Sequence, residues 1–209
     1  MIKILIVDDH MIFREGIKKV LAAASDIKVA GEAGSGNEAI LNLTRNHYDV
    51  VLQDLALPDI EGIDLLRRIK KQKPDLPVLV LSFFPEEQFA VRVLKEGASG
   101  YLTKESVPND LIHAIRKAAE GGRYISAALA ESLAGSVTGE KERRPHEMLS
   151  SREFQVFSRI AAGKSVKEMS NELSLSRTTV TSYRSRIFNK LKFKTNADLI
   201  RYAVENRIV

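Results

Sequence analysis

The sequence predicts a doubly wound α/β domain, in which helices cover both faces of a five-stranded parallel sheet, followed by a small all-α domain. Three observations lead to this fold class. In the first 125 residues, short β-branched or aliphatic segments alternate with amphipathic segments of helical period. Residues 134–147, AGSVTGEKERRPHE, interrupt this alternation with small, charged and turn-forming residues. From residue 149 onward the pattern is helical to the end.

The strands of the first domain are expected at residues 2–7, 28–32, 50–52, 78–81 and 101–103. Amphipathic stretches such as 13–23 and 63–71 fit the helices between them. We therefore assign residues 1–124 to the α/β domain, 125–147 to a linker and 148–209 to the helical domain.

The helices of the second domain are bounded by start and stop signals at almost every end. A helix capped by Ser150 or Ser151 should end at Gly163. The later helices should begin at three further points: Ser165, Ser176 (for a helix over 177–191), and Thr195 or Asn196.

Composition narrows the class of protein. The chain has 209 residues, of which 44% are hydrophobic and 28% charged, values typical of a globular protein. It contains no cysteine, which excludes disulfides and thiolate metal sites. No apolar run approaches the roughly 20 residues that span a bilayer, and the N-terminal apolar run reads as a strand rather than a signal peptide. We expect a cytoplasmic protein.

The net charge of +5 is unevenly distributed along the chain. Residues 1–125 hold 17 Lys and Arg against 18 Asp and Glu, a net of −1. Residues 149–209 hold 12 against 5, a net of +7. A compact basic domain favours a polyanionic partner, and nucleic acid is the first expectation.

Polar side chains follow four of the five predicted strands. Asp8 and Asp9 follow the first strand, Asp54 the third, Ser82 ends the fourth and Lys104 follows the fifth. One acid at a strand end is usually a loop residue, but carboxyl ends of parallel strands meet at one edge of the sheet, where ligands bind. The joint placement therefore predicts a site at this edge.

The residue types at this edge predict phosphoryl chemistry. Three converging carboxylates repel one another unless a cation is present, and oxygen ligands with an incomplete cage suit Mg²⁺. A lysine and a hydroxyl group can hold the oxygens of a transferred phosphoryl group. Asp54 is then the candidate carboxylate nucleophile.

The motifs Asp8-Asp9, DLALPDIEG, LS at 81–82 and GASGYLTK at 97–104 resemble the receiver domain of two-component response regulators, which has a flavodoxin-like fold. The resemblance covers about residues 1–124. It implies that a sensor histidine kinase phosphorylates Asp54. It also implies that Mg²⁺ is bound by Asp9, Asp54 and the backbone carbonyl of Ala56, with Asp8 assisting. Lys104 and Ser82 would hold the phosphoryl group, and Tyr101 would turn inward as a switch.

Three residues near the expected site stand out. Phe83 replaces a residue that is usually small in this family and is expected to restrict access to the phosphoryl group. Gln53 is polar where an aliphatic residue is common. His10 could be considered as a metal ligand, but no second His or Cys lies near it in the sequence, so we interpret it as a rim residue at the start of the first helix.

Residues 149–204 resemble the LuxR-type helix-turn-helix of the NarL/FixJ response regulators. Independently, in the helix over 177–191, Val180, Ile187 and Leu191 form an apolar stripe, while short hydroxyl side chains occupy the opposite face. Such side chains can approach base edges in a major groove, and flanking cations can contact phosphates. The expected DNA-binding residues are Thr178, Thr179, Thr181, Ser182, Arg184, Ser185, Arg186, Lys190 and Lys192.

Together these features predict a phosphorylation-dependent transcriptional regulator, not an enzyme, that forms a homodimer on phosphorylation or DNA binding. Two alternatives remain. A Mg²⁺-dependent phosphohydrolase would need a general acid two residues after the nucleophile, where Ala56 stands. A constitutive DNA-binding protein could use the first domain only for dimerisation, which the bulk of Phe83 would favour.

Overall fold

The structure is a computed structural model that describes residues 1–84, 86–127, 129–131, 144–173, 175–206 and 208, without the side chains of residues 87, 88 and 147. The chain divides into two compact units, residues 1–141 and 142–209.

The first unit contains a five-stranded parallel sheet with the order β2-β1-β3-β4-β5. The strands are β1 Ile2–Val7, β2 Ile27–Ala33, β3 Val50–Asp54, β4 Val78–Ser82 and β5 Gly100–Thr103. Since the chain leaves β1 for one edge of the sheet and then returns to its other side, the strand order reverses between β1 and β3. The predicted fold class is confirmed, and this reversal is where doubly wound sheets place their ligands.

Five helices connect and cover the strands. They are α1 Met11–Leu21, α2 Gly36–Arg45, α3 Gly62–Gln72, α4 Glu86–Lys95 and α5 Val107–Ala119. The apolar faces of α1 and α5 close one core over the sheet, where Ile17 and Ile115 are buried against the side chains of Ile4, Leu52 and other strand residues. β3 and β4 are completely buried, which explains their largely apolar character in the sequence, whereas the edge strand β2 is buried only at Ile27 and Ala33.

The edge of β5 is partly paired with the chain that follows α5. The backbone N–H of Tyr124 donates to the carbonyl of Ser99 at 2.8 Å, and Tyr124 forms a parallel bridge with Gly100. A Cβ atom on Gly100 would lie 2.8 Å from the carbonyl oxygen of Tyr124, so only glycine permits this approach. Residues 127 and 129–131 then form helical turns.

The assignment of residues 125–147 to a linker stays a prediction, although residues at both of its ends are packed against the two units. Ser126 is hydrogen-bonded to Glu86 of α4, and Leu129 is buried, so the chain up to residue 131 packs on the first unit. At the other end, a 3-10 helix over Pro145–Met148 belongs to the second unit, with His146 buried. Residues 132–143 of the predicted linker lie outside the described residues.

The second unit contains four α-helices after the 3-10 helix. They are α6 Ser151–Ala161, α7 Val166–Glu172, α8 Arg177–Leu191 and α9 Asn196–Glu205. The predicted N-caps are present, because the side chains of Ser150, Ser165, Ser176 and Thr195 each accept a backbone N–H in the first turn. In α8, Val180 and Ile187 are buried as the stripe predicts.

Candidate functional site

An acidic pocket lies at the carboxyl ends of β1 and β3. Asp8 and Asp54 are 1% and 2% exposed, whereas Asp9 is half-buried. One potential ligand atom from each of Asp8, Asp9, His10 and Asp54 lies within 4.8 Å of the others. The structure thus brings together the three carboxylates that the strand ends predicted. Carboxylates clustered in this way provide the oxygen ligands that Mg²⁺ prefers.

Lys104 places a positive charge between two of the carboxylates. Its Nζ lies 2.5 Å from Oδ2 of Asp8 and 2.9 Å from Oδ2 of Asp54, and its side chain is fully buried. An unpaired charge would be costly in this buried position. The Lys104 side chain must therefore stay close to both carboxylates. Lys104 therefore joins the end of β5 to the ends of β1 and β3.

The environment of the pocket shifts the pKa values of the two buried carboxyl groups in opposite directions. Burial raises the pKa of Asp54, and the nearby charge of Asp8 adds to this, although Lys104 opposes it. Burial would also raise the pKa of Asp8, but hydrogen bonds from His10 and the charge of Lys104 outweigh it and lower that pKa.

His10 lies at the rim of the pocket, as the sequence analysis expected. It occupies the N-cap position of α1, and its Nδ1 lies 2.8 Å from Asp9 and 3.3 Å from Asp8. Hydrogen bonds to Asp8 and Asp9 raise its pKa to about 9. The ring of His10 therefore pairs with both carboxylates of the acidic pair.

Ser82 and Tyr101 both contact the backbone of Phe84. The Ser82 hydroxyl accepts the N–H of Phe84 at 3.2 Å, and the Tyr101 hydroxyl donates to the carbonyl of Phe84 at 2.8 Å. Tyr101 is completely buried, and its role as a switch stays a prediction. Asp54 of β3 is in register with Leu81 of the neighbouring strand β4. Ser82, the next residue of β4, therefore lies close to the candidate phosphoacceptor.

The loop after β3 begins under the Asp54 carboxylate. Ala56 is buried, and its backbone N–H forms a hydrogen bond with Asp54. Gln53 faces away from the pocket, since successive side chains in a strand point to opposite faces. Its Nε2 donates to the carbonyl of Gly62 at 2.7 Å and ties β3 to the start of α3. Gln53 is therefore a structural residue in this conformation.

Phe83 lies over the pocket together with Phe13 of α1. The Nζ of Lys104 is 4.4 Å from the centre of the Phe13 ring and 4.9 Å from that of Phe83. Because Phe83 is 62% exposed, its ring forms part of the outer wall of the site.

Sequence reasoning missed Arg14. Its Nη1 donates to the backbone carbonyl of Asp8 at 2.6 Å, and its Nε contacts Glu32 of β2 at 3.0 Å. Arg14 thereby holds the chain at Asp8 in place. The only sequence signal is its position four residues after His10, one helical turn into α1.

The outer face of α8 carries the predicted nucleic-acid contacts. Thr178, Thr181, Ser182, Ser185, Arg186, Lys190 and Lys192 are exposed, and Thr179 and Arg184 are half-buried. The hydroxyls of Thr181, Ser182 and Ser185 donate to carbonyls one turn earlier in the helix, at 2.9 to 3.1 Å. Their oxygen atoms can still accept hydrogen bonds from outside. Thr179 pairs with the hydroxyl of Ser176.

Two of the predicted cations of α8 already have protein partners. The Nζ of Lys190 lies 2.6 Å from Oε2 of Glu153 in α6. Arg184 donates to Asn196 at 3.0 Å and stacks on the Phe188 ring. These side chains therefore contribute to the packing of the second unit, a role that the sequence analysis did not assign to them.

Two family models match the chain. Residues 4–116 match the response regulator receiver domain, and residues 147–203 match the bacterial regulatory proteins of the luxR family. The fold and the acidic pocket thus belong to a receiver coupled to a DNA-binding output domain. The chain is a member of the NarL/FixJ family of response regulators.

Known relatives resemble the chain over its whole length. Response regulator UvrY of Escherichia coli K12 is 38% identical over 207 residues, covering 99% of this chain and 95% of UvrY. Response regulator GacA of Pseudomonas aeruginosa PAO1 is 37% identical over 210 residues, covering 100% and 98%. The expected class, a two-component transcriptional regulator and not an enzyme, is confirmed by this family membership.

Solved structures give the same result. RcsB of Salmonella typhimurium is 27% identical, with a TM-score of 0.61 and coverage of 97% of this chain and 98% of that one. An RcsB–DNA complex is 26% identical, with a TM-score of 0.60 and coverage of 97% and 98%. Within the described part of the chain, no helix is both long and apolar enough to cross a membrane.

Proposed function

We propose that Asp54 accepts a phosphoryl group from the phosphohistidine of a sensor histidine kinase and that the modified receiver controls DNA binding by α8. The observation that carries this proposal is the buried bridge from Lys104 to Asp8 and Asp54. A structural ion pair would need one carboxylate, whereas this lysine faces two carboxylates and stands beside a third. Such an excess of negative charge favours a divalent cation as a ligand. The cation and Lys104 together would then offset the charge of a transferred phosphoryl group.

Asp54 is the best placed of the three acids to act as the nucleophile. It ends the central strand β3, between the acidic pair on β1 and Ser82 on β4. A carboxylate oxygen of Asp54 would form the new P–O bond while the P–N bond of the phosphohistidine breaks. The electron pair of that bond stays on the imidazole of the kinase, so the step needs no other reactant.

Asp9, Asp54 and the carbonyl of Ala56 are the groups we propose as Mg²⁺ ligands, with Asp8 assisting. The cluster of carboxylate oxygens fits that ion. When bound, Mg²⁺ would neutralise charge on the carboxylates and on the phosphoryl oxygens. The ammonium of Lys104 would then pair with the transferred group.

We propose that Ser82 and Tyr101 change conformation when Asp54 is phosphorylated. The Ser82 hydroxyl can donate to a phosphoryl oxygen, and Tyr101 is hydrogen-bonded to the same residue, Phe84, that Ser82 contacts. A change at Ser82 therefore reaches the residue that fixes Tyr101. This arrangement supports two receiver states.

For the output domain, we propose that residues 148–209 bind double-stranded DNA as a homodimer in the cytoplasm. The exposed hydroxyl face of α8 would read base edges, and Arg186 and Lys192 would contact phosphates. The net charge of +7 in residues 149–209 and the RcsB–DNA complexes support this placement. The structure of two RcsB dimers on two DNAs supports the dimer.

The test of the phosphoacceptor is intact-mass analysis after incubation with Mg²⁺ and acetyl phosphate. Wild type should gain one phosphoryl group, and Asp54→Asn should gain none. Asp64→Asn is the matched control, because Asp64 lies exposed on α3 and should leave the adduct unchanged.

Three other outcomes would contradict the proposal. An equal adduct on Asp54→Asn would move the acceptor elsewhere. Steady release of phosphate without a stable adduct would favour a phosphohydrolase. No adduct at all would favour a constitutive DNA-binding protein.

A further inference from the structure

We propose that residues 124–127 and 129–131, the docked segment, are held against α4 by Ser126 and Glu86, and that phosphorylation of the receiver weakens this hold. The inference rests on the proposed function only for its second half. The docked segment leads directly into the residues that join the two units, so its release would alter how the DNA-binding unit is tethered.

The docked segment is attached along one edge of the receiver. Tyr124 extends the sheet beside β5, and its ring meets His113 of α5 edge-on, with centroids 6.1 Å apart. Two residues later, the hydroxyl of Ser126 donates to Oε2 of Glu86 in the first turn of α4, at 2.6 Å. Leu129 is 1% exposed. The segment is thus attached to α4, α5 and β5.

Ser126 both caps the helical turns that follow it and contacts α4. Its oxygen accepts the backbone N–H of Leu129 at 3.0 Å, and its carbonyl accepts that of Ala130. These contacts make Ser126 the N-cap of the helical turns that follow. The same hydroxyl donates its proton to Glu86. A shift of Glu86 therefore changes the group that starts this helix.

The phosphorylation pocket reaches Glu86 through a short path. Phe84 contacts Ser82 through its N–H and Tyr101 through its carbonyl, and its ring stacks on Phe89 of α4 at 4.6 Å. Glu86 follows Phe84 by two residues. If Ser82 rotates to donate its proton to a phosphoryl oxygen, its oxygen moves and carries the N–H of Phe84 with it. We infer that α4 shifts in response, because the Phe84 ring stacks on Phe89.

Release of the docked segment would have a geometric consequence. Seven residues, 125–131, would join the tether between the units, and extended chain spans roughly 3.3 Å per residue, so the reach grows by about 20 Å. The DNA-binding unit would then be held by a longer tether.

The test is amide hydrogen exchange at Leu129 and Ala130 in the full-length protein, with and without acetyl phosphate and Mg²⁺. Ser126→Ala removes both the cap and the bond to Glu86, and Glu86→Gln weakens the bond alone. Ser35→Ala is the matched control, because Ser35 caps α2 in the same way without contacting α4. Intact mass reports the extent of Asp54 phosphorylation in each sample.

We expect Ser126→Ala to speed exchange at Leu129 and Ala130 by about fivefold without phosphorylation, as the loss of an N-cap predicts, and Glu86→Gln to do so less. Ser35→Ala should leave these amides unchanged. Phosphorylated wild type should also exchange faster, whereas phosphorylated Ser126→Ala should change little further at equal phosphorylation.

Two results would overturn the proposal. Equal exchange at Leu129 and Ala130 in unphosphorylated wild type and Ser126→Ala would show that Ser126 does not hold the docked segment. If phosphorylated wild type, identified by its mass, exchanges at the same rate or more slowly, phosphorylation does not weaken the hold. If no adduct forms, the proposed function fails and the coupling fails with it, while the unphosphorylated variants still decide the attachment.

Discussion

The ring of Phe83 covers the ammonium group of Lys104, with 4.9 Å between Nζ and the ring centre. Phe13 contacts the same ammonium from α1, at 4.4 Å. The lysine that we expect to hold the phosphoryl group therefore lies between two aromatic rings and two carboxylates. We therefore expect Phe83 to restrict the movement of Lys104 and the access of phosphodonors to the pocket.

Phe83→Ala should speed phosphorylation by acetyl phosphate, dephosphorylation, or both, by roughly threefold or more. The variant opens the outer wall and removes a cation–π contact worth about 0.5–1 kcal/mol. Rates of adduct formation and loss by intact mass provide the measurement. Phe83→Tyr keeps the ring and should behave as wild type. Unchanged rates in Phe83→Ala would mean that the ring does not limit access.

Lys190 and Arg186 should differ when each is replaced by alanine. Because Lys190 is paired with Glu153, Lys190→Ala should lower the free energy of unfolding of the second unit by about 1 kcal/mol, in addition to any effect on DNA. Arg186→Ala should weaken binding to specific and random DNA alike and reduce the salt dependence by about one phosphate contact.

DNA titrations at two salt concentrations and a denaturant titration separate these effects. A loss of stability in Arg186→Ala equal to that in Lys190→Ala would contradict the assignment. So would an effect of Arg186→Ala on sequence preference alone.

Ser185→Ala should change the ratio between specific and random DNA by at most about 1 kcal/mol, since one neutral hydrogen bond is lost. The Ser185 hydroxyl donates to Thr181 in its own helix, so its oxygen faces outward as an acceptor. We expect it to favour the amino group of cytosine or adenine at its contact. Binding to a set of operators with single base changes measures this. An equal loss on every DNA would place the contact on the phosphates.

The second unit should lose stability as the pH falls from about 6.5 towards 4. Burial, with a contribution from Arg144, lowers the pKa of His146 to about 4, below the unfolded value of 6.5. The unfolded chain therefore binds more protons in this range, and the stabilisation from neutral His146 is complete above pH 6.5. The loss can reach roughly 3 kcal/mol.

Hydrogen exchange of buried amides in α9 at pH 7 and pH 5 tests this effect, because the His146 ring contacts Tyr202 at 2.9 Å. His146→Gln should reduce the pH dependence. His47→Gln, at an exposed histidine, should leave it intact. The same pH dependence in wild type and His146→Gln would show that other groups cause it.

The fold and the pocket could be predicted because their signals are local. The caps at Ser150, Ser165 and Thr195 follow from short-range spacing, and parallel strands bring their carboxyl ends to one edge. Contacts between distant positions left no such signal. Lys190 and Glu153 are 37 residues apart, and Ser126 and Glu86 are 40 apart. Each looks like an ordinary surface residue until the packing is known.

The short bridge between Tyr124 and Gly100 also bears on solubility. A β-strand at the edge of a sheet offers unpaired N–H and C=O groups to any other extended chain and is a common starting point for aggregation. The pairing of Tyr124 occupies part of the β5 edge at the cost of a glycine in that strand. At high concentration in a cell, the backbone around Tyr124 therefore protects part of the β5 edge of the receiver from pairing with other chains.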